Sequence, residues 1–306
     1  MSKSIILVTG SSGFCGGVLI PKLKNLGYKT IGIDCLPGPY TDIVQDINSP
    51  IKIGDDIEAV FHLAAKLEHD RCSSKDYYLT NVLGTNRLLD IAIKHEAHFI
   101  YVSTTAIYGS PQSPISEDTK VSPDGDYALT KYLGEKVCHR SNYSKISIVR
   151  PSVLIGKKRL GIYNVIFNCL FKNLPIPVLG NGKNKISFVN IDDFCNYLIH
   201  VFTKRIYSLT TNFGGRIPGE WNSVLNNLRK HTNSESFILY VPLIFLGLLK
   251  ILSSARILPV TNWQLSVMYK DYFYSDDKML STGYEYQHET IDALKDMADY
   301  YESKFL

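Results

Sequence analysis

The sequence predicts an α/β protein built on a doubly wound parallel sheet, with a smaller C-terminal lobe. The chain has 306 residues, enough for one large α/β domain or a domain with an added lobe. In its first half, short β-branched runs alternate with segments of helical period, which is typical of repeated β-α-β units. A glycine-rich loop follows the first run, where such sheets bind phosphate groups.

Each expected strand is a short apolar run. Ile5 to Thr9 is apolar throughout, as expected of a strand covered on both faces. Further strands are expected at Lys29 to Asp34, Ala59 to Leu63, His98 to Thr104 and Ser144 to Pro151. Helices are expected at Phe14 to Leu26, Lys75 to Glu96 and Tyr127 to Arg140.

The rhythm changes after Pro151. A segment rich in Pro, Gly, Asn and Lys spans 172–185, and we then expect a strand at 186–189, a helix from Asp192, a strand near Leu209 to Phe213, and helices to the end. We expect residues 1–160 to form the sheet domain, with returning contributions near 186–213. Residues 161–306 are expected to form mainly the second lobe, with a cleft between the two parts.

Charge and cysteine content exclude several classes of protein. The net charge is 33 − 29 = +4, spread along the chain, which is too small and dispersed to indicate a nucleic-acid surface. The six cysteines form no C-x-x-C pair, no metal site is predicted, and no signal-peptide pattern precedes the first strand. We therefore expect a cytoplasmic protein that binds no nucleic acid.

One apolar stretch, Phe237 to Leu252, resembles a membrane segment in composition. It has 16 residues and contains Pro242 and Lys250, which falls short of the ~20 apolar residues of a spanning helix. We expect a buried or lid helix that starts near Pro242, and we do not expect membrane contact. A membrane-surface or dimer face is the alternative.

The glycine-rich loop runs from Thr9 to Gly16 between the first strand and the first helix. Gly10 permits a tight turn, Gly13 lets backbone N–H groups approach a pyrophosphate, and Gly16 allows close packing of helix on strand. The helix N-terminus adds a partial positive charge. We expect this loop, with Phe14 and Cys15, to bind a dinucleotide.

An acidic residue supports this interpretation. Asp34 closes the second strand 34 − 10 = 24 residues after Gly10, where a carboxylate can accept hydrogen bonds from an adenosine ribose and repel a 2′-phosphate. This favours NAD over NADP, although Asp34 alone could be an ordinary loop residue. Asp46 and Ile47 are expected beside the adenine ring, and Asp46 alone would more often be a turn residue.

A tyrosine and a lysine are spaced for chemistry. Tyr127 and Lys131 are four residues apart and therefore lie on one face of a helix. A tyrosine with a pKa of ~10 needs its phenolate stabilised, and a nearby ammonium can do this in a poorly solvated cleft. Ser103 and Thr104 end the preceding strand on the side where such sheets bind ligands, and either could hydrogen-bond a substrate hydroxyl. Y-x-x-x-K alone is more often structural.

In its ordered motifs the chain resembles the extended short-chain dehydrogenase/reductase family, the NAD-dependent epimerase/dehydratase group with a Rossmann fold that acts mostly on nucleotide-activated sugars. The motifs are T-G-S-S-G-F-C-G at Thr9 to Gly16, F-H-L-A-A at Phe61 to Ala65, N-V-L-G-T-N at Asn81 to Asn86, S-T-T-A-I-Y-G at Ser103 to Gly109, Y-A-L-T-K at Tyr127 to Lys131, R-P at Arg150 and Pro151, and F-V-N-I-D-D at Phe188 to Asp193.

The resemblance implies roles for matching residues. Tyr127 is the catalytic acid/base, Lys131 lowers its pKa and holds the nicotinamide ribose, and Thr104 orients the reacting hydroxyl. Further contacts to NAD are implied for Leu63, Ala64, Ala65, Asn81, Ser103 and Pro151. We interpret His62 as a buried structural histidine. A homodimer through the helices at 75–96 and 127–140 is expected, and the C-terminal lobe is expected to bind the substrate.

Departures from the family pattern narrow the reaction. Sugar 4,6-dehydratases carry an Asp-Glu pair where this chain has Thr105 and Ala106, and decarboxylases have a Glu at Ala106. Typical UDP-hexose epimerases have an Asn at Val153 and an Arg at Ile186. The residues considered for substrate contact are Thr104, Thr105, Val153, Lys183, Lys185 and Arg216.

Three functions remain open. The first is a nucleotide-sugar 4-epimerase, and the second is an NAD(P)-dependent reductase of a 4-keto sugar or another small ketone. A non-catalytic NAD-binding regulator is disfavoured because Thr104, Tyr127 and Lys131 are all present. The substrate is expected to be a nucleotide sugar or a related small molecule.

Overall fold

The computed structural model describes residues 5–54, 56–70, 72–159, 161, 163–216, 219–255, 257–258, 265 and 268–305. Its centre is a seven-stranded parallel sheet in the order β10-β6-β5-β4-β1-β2-β3. The strands are β1 Ile5–Thr9, β2 Lys29–Asp34, β3 Ile43–Val44, β4 Ile57–His62, β5 His98–Val102, β6 Ile146–Pro151 and β10 Leu209–Phe213. The doubly wound sheet predicted from the sequence is confirmed. Strand order reverses between β1 and β4, where such sheets bind ligands.

Helices cover both faces of the sheet because alternate strand residues point to opposite sides. In β1, Ile6 and Val8 pack in one core cluster with the helices α1 and α6, while Leu7 packs in another with α3 and α4. These helices are α1 Gly16–Asn25, α2 Ser74–Tyr78, α3 Thr85–Lys94, α4 Gly125–Arg140 and α6 Ile191–Thr203.

The single helix expected at 75–96 is interrupted. A π-helical turn, Leu79–Gly84, separates α2 from α3. Such turns are frequent at functional sites because they displace one side chain from the regular helical position. The sequence has no proline or paired glycine that would have indicated it.

The chain after Pro151 has more strand than the sequence indicated. Two pairs of short parallel strands join β7 Val153–Ile155 to β9 Phe188–Asn190, and β8 Ile176–Leu179 to β11 Ile238–Val241. Its other helices are α5 Tyr163–Phe171, α7 Trp221–His231, α8 Leu246–Ser254, α9 Asp277–Leu280 and α10 Thr290–Phe305. The expectation of helices alone after Phe213 is therefore wrong, because β11 finds a partner strand some sixty residues earlier (238 − 176 = 62).

The apolar stretch at 237–252 is not a buried helix, so the buried alternative of that expectation is wrong. Its first part is β11, followed by a 3₁₀ turn Leu243–Phe245 and then α8, none of whose residues is buried. The helical part does begin just after Pro242, as expected. Within the described residues, no helix has the length and apolar character needed to cross a membrane.

Candidate active site

The loop after β1 is shaped by its glycines. Gly10 has φ +74°, a conformation that favours glycine. A Cβ on Gly10 would lie 2.8 Å from the backbone nitrogen of Ala64, and one on Gly16 would lie within collision distance of the Gly10 carbonyl oxygen. The loop thus packs against the chain that leaves β4. Cys15, the residue before α1, makes no side-chain hydrogen bond to the backbone N–H groups at the start of that helix.

Asp34 is held by backbone donors at the end of β2. Its two carboxylate oxygens accept hydrogen bonds from Ser12 N and Leu36 N, each at 3.0 Å. Ser12 lies in the glycine-rich loop, so Asp34 is fixed beside it. The structure therefore brings the acidic residue and the loop together as the sequence predicted.

Asp46 and Ile47 differ in their surroundings. Asp46 is exposed, and its carboxylate accepts a hydrogen bond from Asn48 N at 2.8 Å, which forms a turn. Burial raises the pKa of the Cys35 thiol, and the negative charges of Asp34 and Asp46 raise it further. Asp46 and Asp34 therefore face the same end of β2, whereas Ile47 is buried in the core.

The end of β4 lies on the other side of the loop. Leu63 N donates to the Thr9 carbonyl at 3.2 Å, and Ala64 N donates to Thr9 Oγ1 at 3.3 Å. Leu63, Ala64 and Ala65 are all half-buried. This segment lies across the glycine-rich loop from Asp34, on the β4 side of the point where the strand order reverses.

His62 is a neutral structural histidine beneath this wall. Its Nδ1 lies 2.8 Å from Thr9 Oγ1 and its Nε2 lies 3.0 Å from Thr85 Oγ1. The Thr85 hydroxyl donates to the Asn81 carbonyl, so we assign the ring proton to Nε2, and Thr9 donates to Nδ1. Burial, and then the charge of Lys131, lower the pKa of His62 well below its ordinary value.

Asn81 lies in the π-helical turn and joins two parts of the site. Its Oδ1 accepts from Lys66 N at 2.8 Å, and its Nδ2 donates to Lys66 O and to Thr130 Oγ1, each at 3.1 Å. Thr130 precedes Lys131 on α4. The chain after β4 and the start of α4 are thus fixed relative to each other by one buried amide.

Tyr127 and Thr104 meet at the open end of the sheet. Tyr127 lies in the first turn of α4 and is half-buried, while Thr104 follows β5 and is 8% exposed. Burial raises the pKa of the Tyr127 phenol, and a hydrogen bond to Thr104 and the charge of Arg159 lower it. Arg159 also lies over the ring of Phe14, 5.6 Å from its centroid. The sequence analysis had not placed Arg159 at the site, because a basic run in a loop usually faces solvent.

Lys131 is a buried ammonium beneath Tyr127. It is 2% exposed, donates to the Val102 carbonyl at 2.7 Å, and lies 4.2 Å from the centroid of the Tyr101 ring. Burial lowers its pKa to about 7. The neighbouring Ser103 hydroxyl is buried and makes no hydrogen bond within the described residues. These two polar groups have unused hydrogen-bonding capacity at the end of β5.

We expect Lys131→Met to stabilise the cofactor-free protein below about pH 7. Lysine has an ordinary pKa of 10.5, and its folded value is about 7. Between these values the unfolded chain holds more protons, so wild-type stability rises with pH. The methionine variant avoids burying a charge, and its advantage should shrink as the pH rises toward 10.5. Urea unfolding of both proteins at about pH 6 and about pH 10 tests this, and an advantage independent of pH would contradict it.

A buried ion pair anchors α4 to the sheet, and the sequence analysis did not identify it. Arg150 donates to Glu135 from Nε at 2.9 Å and from Nη2 at 2.7 Å, and from Nη1 to the Tyr108 hydroxyl at 2.6 Å. Tyr108 in turn donates to Asn212 Oδ1 at 2.8 Å. Burial lowers the pKa of Arg150, but Glu135 more than compensates and the pKa is raised. Arg150 therefore fixes α4, the helix that carries Tyr127, against β6.

The residues beyond Thr104 form a wall with tyrosines from the second lobe. Thr105 is buried in the 3₁₀ turn Thr105–Tyr108, and the ring of Tyr274 packs near Tyr108 of the same turn, with ring centroids 6.5 Å apart. The Tyr272 hydroxyl donates to the Gly109 carbonyl at 3.2 Å. Val153 begins β7 and is half-buried. No local motif marks Tyr272 and Tyr274, which reach this wall from more than 160 residues away (272 − 109 = 163).

The three basic residues considered for substrate contact have separate environments. Lys183 and Lys185 are exposed in the segment between β8 and β9. Arg216 forms an ion pair with Glu289 and lies 5.9 Å from the centroid of the Tyr286 ring. The structure thus commits the guanidinium of Arg216 to an acidic partner, and it does not bring Arg216 to Tyr127 by any described contact.

The site fits a dinucleotide. The cradle formed by Gly10 and Gly16 leaves no room for side chains, and the α1 N-terminus carries no acidic residue in its first turn, which suits an anionic phosphate. Asp34 stands at one end, and the Ser103 hydroxyl without a described partner at the other. Hydrogen-bond donors and acceptors therefore follow the carboxyl ends of β5, β4, β1 and β2, which are neighbours in the sheet.

Sequence comparisons give a consistent result. The model of the NAD dependent epimerase/dehydratase family matches residues 6–209. The uncharacterized protein y4nG of Sinorhizobium fredii is 30% identical over 284 residues, covering 88% of this chain and 71% of that protein. The uncharacterized UDP-glucose epimerase YtcB of Bacillus subtilis is 29% identical over 244 residues, covering 69% of this chain and 76% of that protein.

Solved structures show the same fold. The UDP-glucuronic acid 4-epimerase from Bacillus cereus, in complex with NAD, has a TM-score of 0.74 at 22% identity, covering 99% of this chain and 100% of that one. The UDP-glucose 4-epimerase from Thermotoga maritima, with UDP-glucose, has a TM-score of 0.77 at 21% identity, with the same coverage. At these identities the likeness supports the architecture described above.

Proposed function

Because the chain belongs to the NAD dependent epimerase/dehydratase family, we propose that it is a 4-epimerase of a nucleotide-activated sugar. The chain is an enzyme of the extended short-chain dehydrogenase type, and its cofactor is NAD. The observation that carries the choice of reaction is the surroundings of Thr104, which provide Tyr127 for proton transfer and no carboxylate at positions 105 and 106.

The proposed NAD site uses the residues that line the switch point. The loop from Gly10 to Gly16 and the α1 N-terminus would hold the pyrophosphate, and Asp34 the adenosine ribose. Lys131 and Ser103 would hold the nicotinamide ribose, because both are buried at the end of β5 with hydrogen-bonding capacity left over. When bound, NAD supplies both the acceptor and the donor of a hydride at carbon 4 of the sugar.

Tyr127 would move the proton that accompanies this chemistry. Its phenolate removes the proton of the 4-hydroxyl as the carbonyl forms, and its phenol returns a proton to that oxygen as the other face is reduced. Burial raises the pKa of Tyr127, so the phenolate needs cations near it. Arg159 supplies one such charge in the structure, and Lys131 lies one helical turn further along α4. Thr104, which is hydrogen-bonded to Tyr127, would orient the substrate hydroxyl.

Residues 105 and 106 disfavour two other reactions of related enzymes. Loss of water from carbons 5 and 6 of the sugar needs a further acid and base besides Tyr127, and related decarboxylases carry a glutamate at position 106. Thr105 has no group that ionises near neutral pH, and Ala106 offers only a methyl group. The relative from Bacillus subtilis is named as an uncharacterized UDP-glucose epimerase, which agrees with this choice.

A reductase of a 4-keto sugar is the second candidate. Val153 and Ile186 replace an amide and a guanidinium that typical UDP-hexose epimerases carry. Both side chains are apolar and half-buried in the second lobe, and Arg216 is paired with Glu289. These residues therefore differ in chemistry from their counterparts in a typical UDP-hexose epimerase. The difference favours a different sugar or a one-way reduction.

One experiment separates the two candidates. Purified protein is incubated with UDP-glucose, UDP-N-acetylglucosamine and UDP-glucuronic acid in turn, and products are resolved by chromatography while NADH absorbance is followed. An epimerase forms the 4-epimer with no added cofactor and no net NADH. A reductase leaves these sugars unchanged and oxidises added NAD(P)H only with a keto-sugar. The second outcome would contradict our proposal.

We expect Asp34→Asn to relax the choice of NAD over NADP by about tenfold or more, because a charged acceptor and the repulsion of a 2′-phosphate are both lost. Asparagine keeps an acceptor for Ser12 N or Leu36 N, so it disturbs the loop less than alanine. The dissociation constants of NADH and NADPH, measured by fluorescence titration, give the ratio. An unchanged ratio would show that Asp34 does not face the ribose.

A further inference from the structure

An exposed apolar surface lies on the second lobe, away from the sheet. Ile244, Leu248 and Ile251 are 86%, 53% and 67% exposed. Their spacing of four and three residues places them on one side of the 3₁₀ turn and α8. On the adjoining β11, Tyr240 is also exposed and lies beside Leu243. We call residues 237–251 the apolar face. Contiguous surfaces of this kind mark contact sites.

The ionised side chains within residues 237–270 are all basic. Every residue between Glu235 and Asp271 is non-acidic, and the ionised side chains within that span are Lys250, Arg256 and Lys270. Three cations therefore accompany the longest apolar run of the chain.

The structure places one of these cations at the edge of the apolar face. The ammonium of Lys270 is exposed and lies 5.4 Å from the centroid of the Tyr269 ring. Tyr269, Tyr240 and Leu243 together line a cavity of about 380 Å³. Lys270 is thus separated from the apolar face by a single aromatic ring, and Lys250 lies within α8 itself.

The sign of these charges distinguishes between occupants. A second copy joined through this face by a two-fold axis would bring Lys250 and Lys270 of each chain into one interface, and residues 237–251 contain no carboxylate to pair with them. An anionic bilayer offers phosphates for the cations and acyl chains for the side chains. Tyr240 suits the boundary between them, where tyrosine is enriched.

We propose that the apolar face docks on the surface of an anionic lipid bilayer, with Ile244, Leu248 and Ile251 inserted at the boundary of headgroups and acyl chains. The contact is peripheral, since α8 is only nine residues long and lies along the surface. This revises our expectation from the sequence that the chain makes no membrane contact, because burial of this segment was the basis of that expectation. The proposal is independent of the reaction catalysed.

Vesicle flotation tests the proposal. The full chain with NAD is mixed with vesicles of phosphatidylcholine alone or of phosphatidylcholine with phosphatidylglycerol. We expect the wild type to float with the anionic vesicles and to be released by salt. Replacing both Ile244 and Ile251 with aspartate should lower the partition coefficient by about tenfold or more. Leu26→Asp is the matched control, because Leu26 is 59% exposed at the end of α1 and should leave partition unchanged.

Two results would overturn the proposal. One is a wild type that does not float with anionic vesicles, and the other is a double variant that floats as well as the wild type. If the wild type instead forms dimers in sedimentation equilibrium that the double variant dissolves, the face joins two copies and the lipid proposal is wrong. Thermal melts verify folding, and Leu248→Asp replaces the double variant if that variant is unfolded.

Discussion

Tyr127→Phe is expected to lower kcat for sugar epimerisation by about 10²- to 10⁴-fold, the usual contribution of a general acid or base, while NAD remains bound. The phenyl ring fills the same space at the start of α4, and the loop, Asp34 and Lys131 that would hold NAD are untouched. What is lost is the only phenol that hydrogen-bonds Thr104 in the described part of the chain.

The design includes a matched control. Tyr132→Phe removes the hydroxyl of another tyrosine on α4, whose side chain packs against the apolar cluster that contains Tyr108 and Ile115. It should keep wild-type turnover. Product formation is measured with each variant, together with the nucleotide released on denaturation. Full activity in Tyr127→Phe would mean that another group exchanges the proton, and the assignment of the site would be wrong.

Glu135→Ala is expected to lower the free energy of unfolding by about 3–5 kcal/mol, because it leaves the buried guanidinium of Arg150 without its carboxylate. The pair joins α4 to β6, and through Tyr108 to Asn212 of β10. α4 also carries Tyr127, so activity should fall with stability.

An exposed ion pair provides the comparison. Lys157 and Asp296 lie 3.6 Å apart with more than half of each side chain exposed, so Asp296→Ala should change stability by less than about 1 kcal/mol. Urea unfolding of the two variants and the wild type at neutral pH gives the difference. Equal losses in both variants would mean that the Arg150 pair does not anchor the helix.

The sheet could be predicted because a local sequence pattern marks most of its strands. The apolar run of β1, the glycines after it and Asp34 at the end of β2 lie within one β-α-β unit, where sequence spacing fixes spatial relation. β3, with two residues, was too short to be recognised. The expected homodimer through α3 and α4 stays a prediction.

The parts that the sequence did not reveal depend on distant contacts. Arg150 was noted only as half of a two-residue motif, yet its role comes from Glu135 on another element. Arg159 belongs to no motif of the sequence, and it acts on Tyr127 only because the chain after β7 returns over Phe14. Tyr274 packs near Tyr108 although the two residues are far apart in the sequence. Periodicity and motif spacing contain no information on such contacts.

The apolar segment at 237–251 shows the converse. Hydrophobic composition predicted burial, because most apolar runs of that length lie in a core. In the structure β11 has β8 as its partner, and α8 then follows on the outside of the lobe with none of its residues buried. Composition indicated that the segment avoids water, but it could not indicate which surface the segment contacts.

The measurement that tests the central claim most directly is the nucleotide content of the protein purified without added cofactor. The protein is denatured, and the released nucleotide is identified and quantified by chromatography. An epimerase that recycles its cofactor within each turnover should release NAD in near-equal molar amount to the chain. A protein that releases no nucleotide and binds NAD(P)H only reversibly would contradict the epimerase proposal and favour the reductase.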